Sequence, residues 1–221
     1  MSWRRAMCNQ NALLLNAEPR RPLLPSVAGT WDARVESDIH VSRSLRDPSH
    51  LKPLGDDDGT IRVVIETPKG SRNKYAFDAE ERVFVLKTVL PAGMAFPYDF
   101  GFVPSTRAED RDPVDVLVLM DEPAFAGCVL KCRLVGVIEG EQISGKKKIR
   151  NDRLIAVERD NHSFAAVTHV DDLGKAFVKE LEAFFVNYHA LSSTHYRIVG
   201  VRGPRHARRR LKEGRRAVRT R

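Results

Sequence analysis

Asp110, Asp112 and Asp115 stand within one short run, Glu109-Asp110-Arg111-Asp112-Pro113-Val114-Asp115, which leads directly into the apolar stretch Val116-Leu117-Val118-Leu119. Three carboxylates this close repel one another, so a fold that buries the apolar stretch beside them has to solvate them or supply a cation. A straight strand would put Asp110 and Asp112 on one face and Asp115 on the other. Pro113 fixes its own φ and pushes Asp112 toward extended geometry, so a bend here can turn all three toward one point. Such a set offers only hard oxygen donors, which suits Mg²⁺ or Mn²⁺ and argues against zinc. An EF-hand is excluded, because its sixth loop position needs Gly and here holds Asp115. The competing reading is a solvated acidic turn, since Asp-Pro is an ordinary turn opener.

Upstream, Ile61-Arg62-Val63-Val64-Ile65-Glu66-Thr67-Pro68 reads as a strand ending in a carboxylate, followed by turn residues Gly70, Ser71 and Asn73 and then Lys74-Tyr75. The segment from Val89 to Pro104, with Phe96-Pro97-Tyr98-Asp99-Phe100-Gly101, is punctuated by Pro and Gly and rich in aromatics. Downstream come Val135-Gly136-Val137, Leu154-Ile155-Ala156-Val157 and Phe184-Phe185-x-x-Tyr188.

In this order, over residues 61 to 201, the chain resembles the soluble family I inorganic pyrophosphatases. The resemblance implies Mg²⁺-dependent hydrolysis of inorganic pyrophosphate, with Mn²⁺ as a substitute ion, on a five-stranded OB-like barrel with flanking helices. It implies Asp110 and Asp115 as metal ligands, Asp112 as the base for the attacking water and Glu66 as a metal ligand on the substrate side. Lys74 and Tyr188 would contact phosphate oxygens, and Lys87 stands near the position of a phosphate-binding Arg. Without the resemblance, Lys74 reads as a solvated surface lysine and Tyr188 as a core tyrosine on a helix face. Bacterial relatives are homohexamers, so a homo-oligomer is implied here.

The chain departs from the family pattern at several positions. Ala76 replaces a Glu, Phe96 and Phe100 replace two tyrosines, Arg111 replaces a small residue between the aspartates, and His189 replaces a Lys. The alignment through Leu154 puts Asn151 where a metal aspartate is usual and Arg153 where a phosphate-binding lysine is usual, with Asp152 between them. Asn151 or Asp152 is then the expected metal ligand. The earlier acid of that pair falls near Glu141 or Gln142, in a segment read as a loop. These departures leave open a second class of function, a catalytically altered relative that binds phosphate compounds or nucleic acid.

Periodicity predicts a mainly β core, with strands near 61 to 67, 83 to 89, 114 to 119, 129 to 138, 153 to 158 and 196 to 201. One helix is expected over about 171 to 190, capped by Asp171 or Asp172. Residues 59–201 form the expected domain. Residues 1–58 show no sustained periodicity and read as a disordered extension. Within it Arg4-Arg5 precedes Leu13-Leu14-Leu15, but that run is too short for a convincing signal segment, which favours an extended start. The basicity of the chain, net +8, is concentrated in residues 202–221, which hold ten Lys or Arg against one Glu. That segment reads as a basic tail, helical in part, dispensable for turnover, with either a polyanion such as nucleic acid or plain solvent as its partner. No apolar window reaches the length of a membrane span. Three cysteines give no disulfide scaffold. Cys128 and Cys132 read as reduced thiols on one strand face, which points to the cytoplasm.

Overall fold

The computed structural model describes residues 47–55, 59–191 and 195–219. These belong to one compact unit, Ser44–Arg221; the other, Met1–Arg43, lies outside the described residues. Most of the expected disordered extension therefore also lies outside them. Residues 47–55 do not behave as a free tail: Leu54 bridges to Ile61, and Ser105 donates its backbone N–H to Ser49 at 2.8 Å.

Nine strands and two α-helices are present among the described residues: β1 Thr60–Thr67, β2 Asn73–Asp78, β3 Val83–Val89, β4 Asp99–Val103, β5 Val114–Leu119, β6 Val129–Ser144, β7 Lys147–Arg150, β8 Arg153–Glu158, α1 Lys175–Ala190, β9 His195–Arg202 and α2 Pro204–Arg219. Neither helix is long and apolar enough to cross a membrane. The order β1-β4-β5-β8-β6 closes because β1 also pairs with β6, giving a ring of five strands. Only β5 and β8 run parallel within it. This is the OB-like barrel expected, and closure removes the exposed strand edges.

β5 is apolar on both faces because both are covered. Val116 and Val118 join a cluster drawn from all five ring strands, including Ile61, Val63, Val103, Leu134 and Leu154. Leu117 and Leu119 face a second cluster with Leu181 and Phe185 of α1. A strand sandwiched this way reads as a continuous apolar run instead of an alternation.

Three differences from the sequence reading have local causes. β2, β4 and β7 were not anticipated: β2 and β7 carry no strong apolar pattern, and in the fully buried β4 Gly101 with the flanking Pro97 and Pro104 reads as a break in structure. The expected helix over 171 to 190 begins later, since Gly174 takes φ 80° and separates a short 3-10 turn, Val170–Leu173, from α1. Asp172 caps that turn, accepting from the backbone N–H groups of Thr168 and His169 at 2.9 Å each. Cys132 is buried in the barrel, but Cys128 precedes β6 and is only half-buried, so the two do not form a core pair.

The expected C-terminal tail is a packed element. Ala207 and Leu211 of α2 are buried in the barrel cluster, while Arg205, Arg208, Arg209 and Lys212 stay exposed. Gly214 lies so close to β5 that a Cβ there would meet Val114 Cγ2 at 2.6 Å, and its carbonyl accepts from Arg107 N–H at 3.0 Å. α2 thus braces the loop that carries the aspartates.

Candidate active site

One cleft of about 1130 Å³ opens on the barrel, walled by the end of β1, the β2–β3 hairpin, the 104–113 loop, the β6–β7 hairpin, the start of β8 and the last turn of α1. It gathers Glu66, Lys74, Lys87, Asp110, Asp112, Asp115, Asn151, Arg153 and Tyr188. Their separation in sequence is bridged by barrel closure, which sets β5 and β8 side by side and β1 one strand away from each, across β4 and β6.

The aspartate loop bends as the Asp-Pro step requires. Ala108 N–H donates to Asp112 O at 2.7 Å, and Asp112 N–H donates to Asp110 Oδ1 at 3.2 Å. Arg111 sits at φ 80°, in the left-handed region that favours glycine. Asp112 is exposed at the mouth, and Asp110 and Asp115 lie deeper. Burial, then the charges of Asp115 and Asp112, pushes the Asp110 carboxyl up to about 6. Burial likewise raises Asp115, opposed mainly by Arg153 and Lys74.

Glu66 forms the opposite wall. Its Oε1 accepts from Phe77 N–H at 2.8 Å and its Oε2 from Lys74 Nζ at 3.2 Å. Burial raises its pKa, against the pull of Lys74 and the Phe77 N–H. Lys74 is no solvated surface lysine: its ammonium also lies 4.4 Å from the centre of the Phe100 ring. Phe100 and Phe96, lacking tyrosine hydroxyls, make that part of the cleft an apolar floor. Tyr188 has its ring against Phe96 at 5.6 Å and Phe184 at 6.0 Å while it lines the cleft, so the core and the site readings both hold. Lys87 is exposed on β3, on the outer wall.

At the start of β8, Arg153 is buried, with Nη1 2.8 Å from Asp115 Oδ2. Asn151 turns its side-chain oxygen to the same Nη1, and its Nδ2 donates to Gln142 Oε1 at 3.1 Å. Asp152 is not among the residues lining the cleft. Its carboxylate is committed to Arg150 at 2.7 Å, Arg210 at 3.0 Å and the Gly140 N–H at 3.1 Å, so it is not placed to replace a missing ligand. Glu141, one candidate for the earlier acid, pairs with Arg197 at 2.6 Å, while Gln142 lines the cleft from β6.

The sequence reading missed Arg107, Lys147 and the backbone N–H of Phe77. Arg107 and Lys147 line the cleft from the aspartate loop and the β6–β7 hairpin. A cation three residues before Asp110 and the run Lys146-Lys147-Lys148 were the available signals. His189 stacks on Tyr196 with ring centres 4.4 Å apart, and burial, with the Arg153 charge, pushes it down to about 4, so it is a neutral lining group.

Comparison with known proteins agrees with the geometry. A family model described as Inorganic pyrophosphatase matches residues 63–219. A protein of Synechocystis sp. named inorganic pyrophosphatase is 38% identical over 142 residues, covering 64% of this chain and 82% of its own length. Among solved structures, the inorganic pyrophosphatase from Thermus thermophilus matches with TM-score 0.72 and 29% identity, over 78% of this chain and 99% of that one. The enzyme from Helicobacter pylori matches with TM-score 0.70 and 33% identity, over 76% of this chain and 98% of that one.

Proposed function

This chain belongs to the inorganic pyrophosphatase family, and from that premise we propose how its cleft hydrolyses inorganic pyrophosphate to two phosphates with Mg²⁺ as the assisting ion. The observation that carries the reading is the meeting in one cleft of Asp110, Asp112, Asp115 and Glu66 with the cations Lys74 and Arg153. The donors suit a hard cation. Asp110 is pushed up to about 6 by burial and by two like charges, a site short of positive charge. Among the described residues no three acidic, His or Cys side chains form a ready cage. Mg²⁺ does not need one, since it keeps several waters and binds through one or two carboxylates plus substrate phosphate. Asp110, Asp115 and Glu66 would hold it, since the Asn151 amide oxygen is already turned to Arg153. When bound, Mg²⁺ lowers the pKa of a water and neutralises phosphoryl oxygens.

The residues of the chain do the rest. Asp112, exposed at the mouth, takes the proton of the attacking water. The water oxygen bonds to one phosphorus, the bridging P–O bond breaks, and the second phosphate leaves with its electron pair. Arg153, Lys74 and the Tyr188 hydroxyl donate to phosphate oxygens from the cleft floor, where low dielectric strengthens each contact. Lys87 meets the substrate from the outer wall. Self-association is part of the reading, supported by the exposed apolar side chains Leu86, Val89 and Phe125. So is a reducing compartment, the cytoplasm, in keeping with the free thiols of Cys128 and Cys132.

The test is phosphate release from pyrophosphate with Mg²⁺, repeated with Asp112→Asn. Turnover in the parent and its loss in the variant support the assignment; equal turnover in both removes Asp112 from the mechanism.

A further inference from the structure

Arg153 stands between the two oxygens that the family pattern gives to metal. It is 2.8 Å from Asp115 Oδ2 and also donates to Asn151 Oδ1. The second contact follows from the side-chain chemistry at 151. The Asn151 Nδ2 donates to Gln142 Oε1 at 3.1 Å, and that fixes the amide with its oxygen toward the guanidinium. Two neutral amides, Asn151 at the position of a usual metal aspartate and Gln142 beside it, thus line this corner, and a fixed cation faces Asn151.

Arg153 is held for this position. It is 5% exposed, and its guanidinium carbon lies 5.8 Å from the ring centres of both Phe100 and Phe185. Its Nε is buried and has no hydrogen-bond acceptor among the described residues. A buried guanidinium stays charged, and an unused N–H on it is costly unless a ligand oxygen completes it. Lys74 repeats the arrangement at the other wall, 3.2 Å from Glu66 Oε2 and 4.4 Å from the centre of the same ring, Phe100.

We propose that Arg153 is a resident counter-cation that takes the place of one divalent ion at the Asp115–Asn151 corner, so that the cleft binds diphosphate-class anions there without metal. The proposal rests on the cleft being the pyrophosphate site. A divalent ion entering this corner would meet a buried positive charge and one carboxylate fewer, both of which disfavour it. A phosphate oxygen entering it completes the free Nε and meets the guanidinium in the planar geometry that suits it.

The test uses the full-length protein stripped of metal with EDTA and methylenediphosphonate, a non-hydrolysable diphosphonate, as the probe. Calorimetric titration of the parent protein without metal is expected to show saturable binding, weaker than with Mg²⁺ by no more than about tenfold. Binding seen only with Mg²⁺ overturns the proposal, and this arm needs no variant. In the double variant Arg153→Gln, Asn151→Asp, metal-free binding should vanish, and equilibrium dialysis with saturating diphosphonate should count one more bound Mn²⁺ or Mg²⁺ than in the parent. An unchanged ion count in a folded variant also overturns it. Pyrophosphate turnover is measured in parallel. Metal-free binding without turnover would sink the proposed function alone, and turnover without metal-free binding would sink this inference alone.

Discussion

Arg210 of α2 lies 2.8 Å from Glu139 Oε1 on β6 and 3.0 Å from Asp152 Oδ2, and Arg150 reaches the same two side chains at 2.9 and 2.7 Å. Two carboxylates and two guanidinium groups from β6, the β7–β8 segment and the final helix form one network, each partner offsetting the desolvation of the others. The helix beyond Gly203 is therefore fastened to the barrel by charge as well as by Ala207 and Leu211.

Removing α2 should unfold the protein instead of trimming it. Leu211→Ala is expected to cost about 2–5 kcal/mol in urea unfolding, because it opens a cavity in the barrel cluster. Deletion of residues 204–221 should yield no cooperative thermal transition. A truncated protein with full stability and turnover would return the segment to the status of a free tail.

Arg111 holds φ 80°, a conformation that costs an L-residue roughly 1–2 kcal/mol and glycine almost nothing. Arg111→Gly should therefore stabilise the chain by about 1 kcal/mol, after allowing for the greater freedom of glycine in the unfolded state. Chemical denaturation decides it. A destabilised variant would mean that contacts of the Arg111 side chain outweigh its backbone strain.

The three aspartates should behave as a unit. Alanine at 110, 112 or 115 is each expected to remove most turnover, and the triple variant should be little worse than the most damaging single one. Steady-state kinetics of the four proteins tests this. Small losses that multiply cleanly would describe an acidic surface turn.

Asp110 makes the stability of the metal-free protein depend on pH with a definite sign. Its folded value of about 6 exceeds the ordinary 3.8, because burial and two neighbouring carboxylates oppose its charge. Between those values the folded protein holds a proton that the unfolded chain has released, so stability falls as pH rises through about 6. Asp110→Asn should melt higher than the parent at pH 7 in EDTA, and the gap should close below about pH 4. Melting curves against pH give the answer, and a constant gap would assign the effect to packing.

Much of the barrel was readable one segment at a time. β1, β3, β5 and β8 carry dense β-branched and apolar runs, so their ends fall within a residue of the sequence reading. β2 and β7 lack such runs and depend on β3 and β6 for their strand form, while the buried apolar residues of β4 were masked by Gly101 and the flanking prolines. The helix in the basic segment was legible, but its packed face, Ala207, Leu211 and Gly214 at helical spacing, was hidden by the charge count.

The sequence by itself determined the chemistry available: a carboxylate cluster bent by Pro113, a strand ending in Glu66, and a neutral amide at 151. These are local facts, fixed by residue type and by backbone restriction over a few positions. Tertiary structure decided how those groups are paired. Asp152 and Arg153 are adjacent in the chain, yet one is bound outside the cleft by Arg150 and Arg210 and the other is buried inside it on Asp115. Successive side chains entering a strand leave on opposite faces, and which face becomes cleft is set by the closure of β8 between β5 and β6.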